Sequence, residues 1–225
     1  MQEKHFSVAI DGPSGAGKST IAKAVAAQLG ILYVDTGAIY RTIGLAVQRQ
    51  GIDPKDEKSV SAILPALTIE MKYGEDGLQH MLLGGEDVSA QIRLPEISMY
   101  ASAVSALGAV RAYLLDMQRD MARKHNVIMD GRDIGTVVLP NAEVKIYLTA
   151  AAAVRAQRRC LELKQRGTPK PFDEVLREIE ERDYNDSHRA LCPLRPAEDS
   201  VTVDSSDMTF EQARDNILAI IEERV

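Results

Sequence analysis

The chain has no tryptophan and only ten aromatic residues, seven Tyr and three Phe. That is too few to build a base-stacking platform for single-stranded nucleic acid. Acidic residues outnumber basic ones, 33 to 27, for a formal net charge of −6. An excess of that sign argues against a general nucleic-acid binder. It still leaves room for local arginines to gather a small anion. The two cysteines, Cys160 and Cys192, make neither a CxxC pair nor a zinc spacing and read as reduced thiols. No apolar run is long enough to cross a bilayer, so no membrane partner is expected. Met1-Gln2-Glu3-Lys4-His5 lacks the apolar stretch of a signal peptide, which makes the cytoplasm the expected address. There is no heptad, obvious sticky stripe, internal repeat or low-complexity tract, and a monomer is expected. At 225 residues and 45% hydrophobic composition, one large domain, or one domain with an insertion, can bury its own core.

Short apolar runs alternate with helical patterns. Phe6-Ser7-Val8-Ala9-Ile10-Asp11 reads as a buried strand, and an Ala-rich helix from Lys18 to Leu29 stops at Gly30. Ile31-Leu32-Tyr33-Val34-Asp35 is a second strand, and Thr36-Gly37 opens a helix to about Gln50. Further strands are predicted at residues 126–130, 144–149 and 200–204, each separated from the next by a helical pattern. This order predicts an α/β sandwich around a parallel sheet of about five strands. One segment breaks the rhythm. Residues 68–83 alternate polar and apolar around Gly74-Glu75-Asp76-Gly77, a hairpin signal, and Gly84-Gly85-Glu86-Asp87 is a second turn. Residues 66–93 are therefore expected to be a small β insertion. Pro95 starts a long helical region to about Lys124, expected to bend near Gly108.

Gly12-Pro13-Ser14-Gly15-Ala16-Gly17-Lys18-Ser19 fits G-x-x-x-x-G-K-[ST] at every fixed position. The glycines let the backbone curl so that successive N–H groups face an anion, and the helix from Lys18 adds its dipole. Lys18 can reach the β and γ phosphates, and the Ser19 hydroxyl can ligate Mg²⁺. A chance glycine-rich turn is the bland account; by ordinary residue usage it arises in roughly one chain in a hundred. The preceding strand and following helix make a P-loop NTPase fold the expectation.

Asp35-Thr36-Gly37-Ala38-Ile39-Tyr40-Arg41 ends the second strand. Thr36 reads as an N-cap, Gly37 allows close backbone approach, and Arg41 can reach a phosphate; a routine cap and a solvated arginine would look the same. Asp130-Gly131-Arg132-Asp133 ends the third strand, where ligands gather in parallel sheets, although Asp-Gly is also common in turns. From residue 155 to 195 ten basic residues mix with eight acids, mostly the pattern of a solvated helix. Arg182, Asp186 and Arg189 stand out, because spacings of four and three put them on one helix face. Residues 157–171, with Arg158, Arg159 and Arg166, could form a helical lid that excludes water.

Taken together these segments resemble the bacterial cytidylate kinase family. The resemblance covers nearly the whole chain. It rests on Asp11 to Ser19, Asp35 to Arg41, Gly85-Glu86-Asp87-Val88-Ser89 with Ile92-Arg93, Asp130 to Thr136, and Glu181-Arg182-Asp183 with His188-Arg189. It implies the nucleoside monophosphate kinase form of the P-loop fold, with a lid and an enlarged monophosphate-binding subdomain. It further implies transfer of the γ-phosphoryl group of ATP, with Mg²⁺, to CMP or dCMP. By that resemblance Gly12 to Ser19, Thr20 and Arg158 would bind ATP. Thr36, Gly37, Arg41, Asp130 and Arg132 would lie at the acceptor, and Ser102, Arg111 and Asp133 would read the cytosine edge. Asp186 would hold the ribose hydroxyls. Lys18, Arg132, Arg182 and Arg189 would carry the transfer. Ser102 and Arg111 carry no motif of their own. Another small kinase of the same fold (acting on UMP, AMP, GMP or shikimate) and a non-catalytic nucleotide-binding module remain as rival readings. A second arginine-rich anion site favours a two-substrate enzyme over the module.

Overall fold

A computed structural model describes residues 5–74 and 77–225. The expected leaderless start at residues 1–4, and Glu75 and Asp76 of the expected hairpin turn, lie outside them. In chain order the elements are β1 (Ser7–Asp11), α1 (Lys18–Leu29), β2 (Leu32–Asp35), α2 (Thr36–Arg49) and α3 (Glu57–Ile63). The insertion follows with β3 (Ile69–Tyr73), β4 (Gln79–Leu83) and β5 (Glu86–Asp87), then α4 (Pro95–Val104) and α5 (Gly108–Lys124). The chain closes with β6 (Val127–Gly131), β7 (Val144–Thr149), α6 (Ala152–Gln165), α7 (Phe172–His188), β8 (Val201–Asp204) and α8 (Phe210–Glu222). The chain divides into two compact units, one made of residues 1–33 and 124–225, the other of residues 34–123.

The first unit holds β1, β6, β7, β8 and the first half of β2, which run in the sheet order β2-β6-β1-β7-β8. β1 pairs in parallel with β6 on one side and β7 on the other, and β7 with β8. Its strands are short apolar runs because both faces are covered; Val8, Ala9 and Ile10 are completely buried. α1 and α8 supply one covering layer, with Ile21, Val25, Ile217 and Ile221 in the same apolar cluster as Ile10, Ile146 and Leu148. Gly30 ends α1 in the left-handed conformation, and Thr209 with Gln212 closes a capping box on α8. α6 and α7 hold together through a small cluster of Ala156, Leu163, Val175 and Ile179. The strands fall within one residue of the sequence expectation, with one correction. No α-helix separates β6 from β7. A five-residue π turn, Ile134–Val138, does that work.

The second unit packs α2 against α4. The crossing is close enough that a Cβ on Gly44 would come within 2.9 Å of the Ala101 backbone nitrogen. The insertion is an antiparallel sheet, β3-β4-β5, with Ile69 opposite Leu83 and Tyr73 opposite Gln79. Arg49 of α2 grips Glu86 through both guanidinium arms at 2.7 and 2.8 Å. The expected bend near Gly108 is instead a full break over residues 105–107, between α4 and α5. The last turn of α4 closes on Ser105, and α5 starts afresh at the glycine.

Candidate functional site

In the first unit, Asp11 sits opposite Gly131 and Tyr147 in register. The loops leaving β1, β6 and β7 therefore emerge side by side at the carboxyl end of the sheet. The loop after β1 makes its curl at Gly12, Gly15 and Gly17, with φ of 148°, 77° and 89°. Gly12 has a further constraint. A Cβ there would lie 1.9 Å from the Leu148 carbonyl oxygen of β7. No side chain caps α1, so its first-turn N–H groups open onto the loop.

Lys18 is buried and donates to the Pro13 carbonyl at 2.7 Å. Burial, reinforced by Arg132 and Arg182, pushes its pKa well down; Asp130 and Asp11 oppose the shift. A polyanion bound in this cluster would remove the strain of three neighbouring cations. Asp130 uses both carboxylate oxygens, accepting from the Ser19 hydroxyl at 2.8 Å and the Tyr33 hydroxyl at 2.7 Å.

Arg132 donates through Nε to Asp186 at 2.7 Å and through Nη1 to the Gly131 carbonyl. Burial alone would raise the Asp186 pKa. The charges of Arg132, Arg182 and Arg189 outweigh it and hold the carboxylate below its ordinary range. Arg189 donates to Asp133 at 3.2 Å and to the Cys192 carbonyl at 2.6 Å. One expectation is corrected here. Arg182 and Asp186 share α7, but Arg189 lies one residue past its end, in extended backbone, so the three do not share a helix face. Arg189 reaches the cluster because the chain turns back, not because of helical spacing.

Arg158 does not join the Lys18 cluster. It donates to the Ser205 carbonyl at 2.6 Å, while Arg159 pairs with Glu162 and Arg166 caps α6. Thr20 is exposed. Two features escaped the sequence reading. Arg155 is buried on α6 and donates to the carbonyls of Ala150 and Ser14 and to Asp183, at 2.7, 2.9 and 2.6 Å. Asp11 accepts the backbone N–H groups of Ile134 and Gly135. Neither has a local signal, because apart from the Ala150 carbonyl their partners lie 28 to 141 residues away.

The second unit holds Thr36, Gly37, Arg41, Ser102 and Arg111. Thr36 is buried but is the first helical residue rather than the cap. Asp35 is the cap, its side chain accepting from the Ala38 N–H. The acid also accepts from Arg93 at 2.7 Å, and its backbone meets Gln79 of the insertion at 2.7 Å. Gly37 makes room for Arg41; a Cβ there would stand 3.3 Å from the Arg41 Nη1. Arg111 donates to the Ser105 carbonyl and lies 5.8 Å from the Tyr40 ring centroid. The Ser105 hydroxyl in turn donates to the Ser102 carbonyl at 2.8 Å. The Ser102–Arg111 neighbourhood is thus one small network beside Tyr40.

The Ser19 hydroxyl and Asp130 carboxylate are hard oxygen donors of the kind Mg²⁺ prefers. Among the described residues no cluster of three or more His, Cys, Asp or Glu forms a cage for a metal ion. The pair fits a hydrated cation that arrives with phosphates.

The model of the cytidylate kinase family matches residues 8–223. A cytidylate kinase of Caldicellulosiruptor bescii is 51% identical over 217 residues, 96% of each chain. One of Lactobacillus johnsonii is 46% identical over 96% of this chain and 94% of its own. A solved structure of an uncharacterized protein from Eubacterium ventriosum superposes with a TM-score of 0.54 at 12% identity, covering 98% of this chain and 100% of that one. At that identity the likeness is one of fold.

Proposed function

The chain belongs to the cytidylate kinase family, and from that premise we propose that it transfers the γ-phosphoryl group of ATP to CMP and dCMP, giving ADP and CDP or dCDP. The observation that carries the reading is the meeting of Lys18, Arg132 and Arg182 in one electrostatic neighbourhood at the phosphate loop. A module that only bound a nucleotide would have no use for the two arginines.

The acceptor is already a phosphate oxygen, so no covalent intermediate and no strong general base are required. Catalysis comes from alignment and charge neutralisation. The backbone N–H groups of residues 12–17 cradle the donor phosphates. Lys18 turns from the Pro13 carbonyl to the β and γ oxygens. Arg132 and Arg182 neutralise the transferring group, with Asp186 aligning Arg132. Arg41 and Arg132 bind acceptor phosphate oxygens, and Arg189 lies near the phosphates and the acceptor. Ser102, Arg111 and Asp133 read the cytosine edge, Thr36 and Gly37 line the acceptor, and Asp186 meets the ribose hydroxyls. Arg158 contacts the donor nucleotide. Ser19 and Asp130 would hold Mg²⁺ or its water shell, and the ion would supply charge neutralisation for the donor phosphates.

On this reading the whole of residues 1–225 works as one P-loop kinase domain, with residues 66–93 enlarging the monophosphate-binding part and residues 157–171 acting as the lid. The enzyme is a cytoplasmic monomer of pyrimidine nucleotide metabolism and has no nucleic-acid partner. No described helix is long and apolar enough to cross a membrane. The test is ADP release from MgATP with CMP, dCMP, UMP, AMP, GMP or no acceptor. Turnover confined to CMP and dCMP is expected. Preference for another acceptor overturns the base assignment, and slow acceptor-independent hydrolysis overturns the kinase.

A further inference from the structure

The turn after β6 carries Arg132 and Asp133, and something must hold it in place. Asp133 stands at the N-cap of the π turn Ile134–Val138, a position where an aspartate ordinarily caps its own turn. It makes no such bond. Its Oδ1 accepts from Arg189 instead. The capping is done by a different carboxylate, from another strand. Asp11 accepts the Ile134 N–H through Oδ1 at 2.8 Å and the Gly135 N–H through Oδ2 at 2.7 Å, across more than 120 residues of sequence.

The far side of the turn is blocked as well. A Cβ on Gly135 would meet the Lys145 side chain at 3.2 and 3.3 Å and the Asp11 carboxylate at 3.4 Å. The Lys145 ammonium is itself pinned, to the Pro140 carbonyl at 2.6 Å and to Asp199 at 2.7 and 2.9 Å. The turn is therefore clamped between a β1 carboxylate and a β7 lysine stem. A buried carboxylate next to Asp133 is a costly way to fasten a loop. Burial chiefly, helped by the Asp133 charge, lifts the Asp11 pKa to about 6 despite the two N–H bonds. A neutral side chain would fasten the turn at lower cost if stability alone were at stake.

We propose that Asp11 is a positioning residue for the transfer. It caps the π turn in place of Asp133, and so leaves the Asp133 carboxylate to Arg189 and fixes Arg132 beside the phosphate loop. Asp11 precedes Gly12 directly, so one residue registers the acceptor-side turn to the donor-side loop. This inference rests on the kinase reading above.

The experiment compares steady-state kinetics of wild type, D11N and D11A with MgATP and CMP varied in turn. Asparagine keeps one acceptor and alanine keeps none. The KM for CMP should rise about tenfold in D11A, the scale of one lost charged hydrogen bond. The kcat should fall with it, the KM for ATP should stay within about threefold, and D11N should be intermediate. Gly135→Ala, which presses the same turn against the Lys145 stem while keeping the Asp11 carboxylate, should reproduce the split, and it decides the matter if D11A does not fold. Equal changes in both KM values, or a lowered melting temperature with unchanged kinetic constants, would overturn the positioning role. Absence of CMP-dependent turnover in the wild-type arm would instead remove the kinase reading, and the clamp's catalytic role with it.

Discussion

Replacing Gly12 by alanine tests how the phosphate loop is fastened to the sheet. The new methyl would lie 1.9 Å from the Leu148 carbonyl oxygen and 3.0 Å from its carbon. Normal contact for that pair is about 3.5 Å, so the backbones leaving β1 and β7 must part by more than about 1 Å. Both are buried, and neither neighbour is a flexible side-chain tip that could swing away. To this is added the cost of φ near +148° for a residue with a Cβ, about 1–3 kcal/mol. The total should reach about 4 kcal/mol, the range reserved for mutations with a named severe cause. For a chain of this size that lowers Tm by roughly 8–16 °C. Gly30→Ala is the control. Gly30 is also left-handed, at φ 64°, but an added Cβ meets nothing within 4 Å. Only backbone strain of about 1 kcal/mol remains, or roughly 2–4 °C. Thermal unfolding followed by far-UV circular dichroism separates the two. If G12A melts within about 3 °C of G30A, the close approach to β7 has no energetic meaning and the reasoning fails.

Arg132→Ala and Arg182→Ala should each reduce kcat by about 10³-fold or more, by analogy with transition-state arginines; near wild-type turnover in both would sink the transfer scheme. Arg155→Met removes three hydrogen bonds and strands the half-buried Asp183 carboxylate, which should cost about 2–3 kcal/mol, and a Tm within 2 °C of wild type would contradict it. The Asp11 pKa is raised, so the native state binds its proton more tightly than the unfolded chain does. Stability from this group must therefore fall as pH rises from about 4 to about 6. The rise from 3.8 to about 6 corresponds to at most about 3 kcal/mol. Urea midpoints at pH 4 to 7 should show wild type losing stability relative to D11N across that window, and a pH-independent difference would refute the assignment.

Much of this molecule is legible along the chain because the relevant forces are local. A run such as Val8-Ala9-Ile10 has no other place than a doubly covered strand. Glycines at 12, 15 and 17 permit a curl that few residues can make, and Lys18 and Ser19 follow at the spacing that phosphates require. The strands, the phosphate loop and the β insertion could be placed on those grounds. Helical spacing misled at Arg189, since nothing in the pattern marks α7 as ending one residue earlier. It misled again at Thr36, where the better cap was the aspartate just before it.

The order of strands and helices, the anion-binding loop and the residue types that phosphate chemistry needs are all written along the chain. Which residues meet across the fold is not. Asp11 caps a turn more than 120 residues away, Arg155 fastens the Ser14 carbonyl, and Lys145 closes behind Gly135. Such pairs leave no periodic trace, because a buried charge is held by whichever backbone the sheet order brings to it, and that order is settled only when the core is packed.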